Sequence, residues 1–174
     1  MKLRILFDNN ILNKLVKCPK EKINLMAEKC ELLNCEDLIE ELDSIKNSKI
    51  DLYNKIKEIL KKFQVTSGYM FGLIDWNDID NIEDSQNNTW GFCEIAQKNE
   101  VSVKMLEYKD VEVYNKIHPN AINKKHENDR QIAILASTHN ANAIITEDKD
   151  FYKHLKKTRL NVMTFEEFIK YLKI

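Results

Sequence analysis

The chain is poor in the residues that punctuate tight turns: its 174 residues include 3 Gly and 2 Pro. That scarcity favours long regular elements and disfavours a hairpin-rich sandwich or barrel. Cysteine is sparse and unpatterned. Cys18, Cys30, Cys35 and Cys93 form no C-x-x-C pair and no zinc spacing, so they are expected to be reduced thiols of a cytoplasmic protein. The histidines His118, His126, His139 and His154 show neither H-E-x-x-H nor zinc spacing. His126 precedes Asp129 by three and could approach a site there, but a solvent-exposed ring is the expectation. No stretch is long enough to span a bilayer, and no signal-peptide core follows Lys2 and Arg4, so no membrane association is expected.

Charge of one sign is also lacking. The formal net charge is −1, so no global basic field announces a nucleic-acid partner, and any phosphate affinity must be local. Lys55, Lys57, Lys61 and Lys62 form one basic cluster; Lys153, His154, Lys156, Lys157 and Arg159 form another. Each alone reads as a solvated helix face. No phosphate-binding glycine loop and no nucleophile elbow occurs. Asp75-Trp76-Asn77-Asp78-Ile79-Asp80 begins like a calcium loop but lacks the glycine its turn needs.

With 43% hydrophobic and 32% charged residues, the chain has the composition of a globular protein able to bury a core. Short apolar runs at 3–7, 31–35, 101–105, 143–145 and 161–163 read as strands. Helices are expected over 11–17, 22–28, 36–46, 50–63, 90–99, 128–139 and 149–157. A final helix follows Thr164, with Glu167 at the reciprocal capping-box position. Strand and helix alternate, which predicts an α/β fold with a mainly parallel sheet of about five strands covered on both faces. The whole chain, 1–174, is read as one domain with a divergent or enlarged middle near 65–105.

In such a sheet the working crevice lies outside the carboxyl ends of the strands. Asp8 follows the first strand; Thr146, Asp148 and Asp150 follow the strand at 143–145. If those strands are neighbours, their carboxylates converge. On the helix over 36–46, Glu41 flanks the apolar stripe while Glu40 lies nearly opposite it, at ~100° per residue. Asp129 shares the face of Ile132, Ala133 and Ala136 in the first turn of a core helix, where an unpaired charge is costly. Singly, Asp8 reads as a strand end, Glu41 as a surface charge, and Asp129 and Asp148 as helix caps. Jointly, clustered carboxylates repel unless a cation neutralises them, and hard oxygen donors suit Mg²⁺ or Mn²⁺.

Four segments carry a resemblance to the PIN-domain nucleases, in that family's order. They are Ile5-Leu6-Phe7-Asp8-Asn9-Asn10, Ile39-Glu40-Glu41-Leu42-Asp43-Ser44-Ile45-Lys46, Asn128-Asp129-Arg130-Gln131-Ile132-Ala133, and Ile145-Thr146-Glu147-Asp148-Lys149-Asp150-Phe151, which looks like a T-x-D-x-D-F signature. The resemblance covers 1–46 and 126–174. It implies a three-layer α-β-α fold and a Mg²⁺- or Mn²⁺-dependent ribonuclease. The implied ligands are Asp8, Glu41, Asp129 and Asp148, with Asp150 as the alternative fourth acid and Asn10 and Thr146 in support. Asn10 departs from the Ser or Thr of many members. RNA is the expected substrate ahead of DNA, and an antitoxin protein or a second copy of the chain are the expected partners. A non-catalytic RNA-binding or protein-interaction module of the same fold is the rival reading. A receiver domain fits less well, because Arg4 rather than an acid precedes Asp8.

Overall fold

The structure, a computed structural model, describes residues 2–34, 46, 48–71, 102–105, 107–119 and 124–174. In chain order the elements are β1 (Leu3–Phe7), a 3-10 turn (Asn9–Ile11), α1 (Leu12–Lys17), α2 (Lys20–Lys29), β2 (Cys30–Asn34), α3 (Ile50–Leu60) and β3 (Gln64–Phe71). There follow β4 (Ser102–Met105), α4 (Tyr108–Lys116), α5 (Lys124–Thr138), β5 (Ala143–Ile145), α6 (Lys149–Leu155), β6 (Val162–Met163) and α7 (Phe165–Leu172).

Ile5, Leu6 and Phe7 are all buried, as befits a strand with helices on both faces. Their alternation divides the core in two. Ile5 and Phe7 pack with Ala143, Ile145, Leu15, Ile23, Met26 and Phe168, beneath α1, α2 and α7. Leu6 packs with Ile144, Val113, Leu135, Phe151 and Leu155, beneath α4, α5 and α6. The result is a three-layer α-β-α architecture. The sheet of described strands runs β4-β3-β2-β1-β5-β6, parallel throughout. From β1 the chain builds outward through β2, β3 and β4. It then returns to lay β5 on the other side of β1. The order therefore reverses between β1 and β5, where Phe7 stands opposite Ile145.

Two elements depart from expectation. β3 lies at the start of the segment whose pattern is least legible. Its Gln64–Ser67 half pairs with β2 and its Gly68–Phe71 half with β4, so this strand needs no continuous apolar run. Helix α4 was also not expected; its signal is the capping box of Glu107 and Asp110. Helix α5 begins at Lys124 rather than 128, so Asp129 sits in its second turn, not its first, and is no cap. Ile132 to His139 are buried without interruption, as the all-round apolar pattern predicts. Thr164 caps α7 with the reciprocal Glu167 contact. The helices expected over 36–46 and 90–99 fall outside the described residues, apart from Lys46, and Glu41 falls outside with them. No helix of the described residues is long and apolar enough to cross a membrane.

Candidate functional site

Asp8 leaves β1 at the point where the strand order reverses. Its backbone N–H still donates to the Ile145 carbonyl (3.0 Å), and its own carbonyl accepts from Ile11 N–H (2.9 Å), opening the 3-10 turn. The side chain is thereby turned to the carboxyl edge of the sheet. There Thr146 Oγ1 donates to Asp8 Oδ2 at 2.6 Å, and Asn10 Nδ2 donates to the same oxygen at 2.7 Å. Asn10 Oδ1 in turn accepts from the Glu147 N–H (3.0 Å), and Thr146 Oγ1 accepts from the Asp148 N–H (3.0 Å). The two loops are thus laced together. Burial pushes the Asp8 carboxyl above its ordinary proton affinity, and the nearby Asp148 charge pushes the same way, against the hydrogen bonds of Thr146, Asn9 and Asn10.

Asp148 has a structural task as well. Its Oδ1 accepts from the backbone N–H groups of Asp150 (2.9 Å) and Phe151 (3.1 Å), capping α6. Glu147, the intervening acid, turns elsewhere: it accepts from Phe165 N–H (3.0 Å) and pairs with Lys14 (3.3 Å).

Asp129 is buried and belongs to a group of histidines of which the sequence pointed only to His126. His118 Nε2 lies 2.8 Å from Asp129 Oδ2, and His126 Nδ1 lies 3.9 Å from the same oxygen. On its other side His118 Nδ1 faces Asp150 Oδ2 at 3.8 Å. The His118 ring stacks between His126 and His154, with centroids 3.9 and 4.3 Å away. His126 is 22% exposed and packed on His118, so the expectation of a solvent-exposed ring is corrected. The available signal was helical spacing: His126 and Asp129 are i, i+3 on α5, and Asp150 and His154 are i, i+4 on α6. His118 comes from the turn after α4, and no spacing rule reaches it. Its φ of 46° is in the left-handed region, uncommon for a residue with a Cβ. Arg130 holds the turn by donating to the carbonyls of Ile117 (3.0 Å) and His118 (2.5 Å).

No family model and no curated protein matches the chain. Among solved structures it is similar to the crystal structure of PAE2754 from Pyrobaculum aerophilum. The two share 18% identity at a TM-score of 0.52, over 99% of this chain and 98% of that one. That likeness is one of fold, and it extends over the same three-layer α-β-α architecture.

Burial drives the His118 pKa down from 6.5 to about 4, aided by His126, His154 and Arg130 and opposed by Asp150. The unfolded chain therefore binds a proton between these values that the folded chain refuses. Stability contributed by the neutral ring is complete above pH 6.5 and is lost as pH falls toward 4. Chemical denaturation across that window, in chelator, is expected to show a loss of about 3 kcal/mol. A His118→Asn variant is expected to flatten that part of the profile.

Proposed function

We propose that the protein is a metal-dependent nuclease that hydrolyses phosphodiester bonds, RNA ahead of DNA, at the crevice between β1 and β5. The observation that supports this best is the joining of Asp8 to Thr146 and Asp148 at the reversal of strand order, where open α/β sheets bind their ligands. The donor set fits a hard cation: carboxylate, hydroxyl and amide oxygens, with a carboxylate whose charge is penalised chiefly by burial and further by Asp148 until a cation offsets it. Asp8 and Asp148 would hold Mg²⁺ or Mn²⁺, with Asp129 and Asp150 as further candidate ligands and Glu41 assigned from its helical phase and the resemblance. When bound, such an ion lowers the pKa of a water and stabilises charge on the phosphate and leaving oxygens. The chain's own contribution is positional. Asn10 and Thr146 fix Asp8 Oδ2, so the carboxylate is oriented before any ligand arrives.

The reading includes a cytoplasmic setting, as either a toxin restrained by an antitoxin protein or an RNA-processing enzyme, alone or as a homodimer. A second reading, a non-catalytic RNA-binding or protein-interaction module, draws on the capping role of Asp148, which gives that carboxylate structural work without a metal. Purified protein incubated with structured RNA in Mn²⁺ is expected to cleave it, and to stop when EDTA is added. Absence of cleavage together with absence of any Mn²⁺ effect on Tm would favour the module.

A further inference from the structure

We propose that His118, His126 and Asp129 form a second, nitrogen-rich metal site that takes a divalent transition cation of the Zn²⁺ type, with a fourth position open to water or substrate. The inference shares Asp129 with the candidate ligands of the nuclease centre and differs from that reading in resting on the two imidazoles. One ligand atom from each of the three residues lies within 4.8 Å of the others. Zinc bonds of about 2.1 Å would set tetrahedral ligand atoms roughly 3.4 Å apart. The 2.8 Å His118–Asp129 pair would open slightly and the 3.9 Å His126–Asp129 pair would close slightly. Two neutral imidazoles and one carboxylate suit Zn²⁺, Co²⁺ or Ni²⁺ far better than Mg²⁺.

The surroundings of His118 point the same way. Its two ring nitrogens face two different carboxylates, Asp129 at 2.8 Å and Asp150 at 3.8 Å. The closer contact is a hydrogen bond; the longer one is a charge neighbour beyond hydrogen-bond reach. A cation on Nε2 would take the place of the Asp129 bond, with Asp129 becoming a ligand beside it, and would leave Nδ1 as the protonated nitrogen on the Asp150 side. The left-handed backbone of His118 is held by Arg130, and its ring is packed between those of His126 and His154. The alternative trio of His118, Asp150 and His154 is less suited. Asp150 is 67% exposed, and His154 Nδ1 is engaged by the backbone at Lys116 (3.2 Å) and His118 (3.4 Å).

The test is Zn²⁺ titration calorimetry on chelator-stripped, full-length protein, with the visible absorption of added Co²⁺ as a report on geometry. Wild type is expected to bind one equivalent of Zn²⁺ and to give the intense bands of four-coordinate Co²⁺. His126→Gln, at a partly exposed position that should not disturb folding, is expected to weaken binding by about 100-fold or more. His154→Gln and Asp8→Asn are expected to keep the wild-type affinity within about threefold, the scatter of context effects on a group outside the ligand set. The proposal is overturned if wild type binds no Zn²⁺ tightly, or if His126→Gln binds it unchanged. It is also overturned if the loss appears in His154→Gln or Asp8→Asn instead. Cleavage that depends on Asp8 while Zn²⁺ binding depends on His126 would separate this site from the carboxylate centre.

Discussion

Replacing Asp8 by Asn is expected to reduce Mn²⁺-dependent RNA cleavage by roughly 10³-fold, the scale set by the several kcal/mol that a correctly held metal contributes. The substitution is nearly isosteric. An Asn carbonyl oxygen accepts from Thr146 and Asn10 as the carboxylate oxygen does. What it loses is charge. The folded-state pKa of Asp8 lies above its ordinary 3.8, so the folded protein holds a proton that the unfolded chain releases. As pH rises through 3.8 that difference turns into a stability deficit, complete once the folded group has also ionised. In EDTA at neutral pH the Asn variant is therefore expected to melt no lower than wild type. In Mn²⁺ wild type gains Tm and the variant does not. Equal, metal-dependent cleavage by the folded variant would remove Asp8 from the centre and with it the placement of the chemistry in the crevice between β1 and β5.

The largest effect on stability is expected away from the crevice. Asp110 on α4 is fully buried and well served with hydrogen bonds. Ser137 Oγ donates to its Oδ1, Arg159 Nη2 reaches that same oxygen at 3.2 Å and the Ser137 hydroxyl at 2.5 Å, and the Glu107 N–H donates to Oδ2 at 2.9 Å. One carboxylate thus caps α4, ties it to α5 and anchors the segment after α6. Asp110→Ala breaks all of these and strands a buried hydroxyl, a loss of about 3 kcal/mol. For a chain of this length that lowers Tm by roughly 10 °C. Arg159→Ala is expected to cost less, because that side chain is 46% exposed and its pair is partly screened. A double variant whose loss falls well short of the sum would show that the two act on one network. An Asp110→Ala protein as stable as wild type would show that the network carries no net stability.

What the sequence made legible follows from locality. Asp8, Thr146 and Asp148 each end a short apolar run with a polar residue, and a parallel sheet brings such ends to one edge. Thr164 and Glu167 read correctly because a capping box is written within four residues. β3 was missed because its polar first half carries no strand pattern; its support comes from β2 and β4, neither adjacent to it in sequence. Asp110 could not be told from a surface acid, since its partners Ser137 and Arg159 lie 27 and 49 residues away. His118 was invisible for the same reason. Its partners come from two other helices, and only its backbone angle and burial set it apart.

The bond from Thr146 to Asp8 spans 138 residues of chain. β1 is made early and can pair with β2, but its other edge waits for β5. During synthesis Asp8 therefore emerges long before the hydroxyl and the carboxylate that complete its setting. A nascent chain carries an unassembled crevice until Thr146 and Asp148 have left the ribosome, so the setting of Asp8 is completed only by the docking of β5.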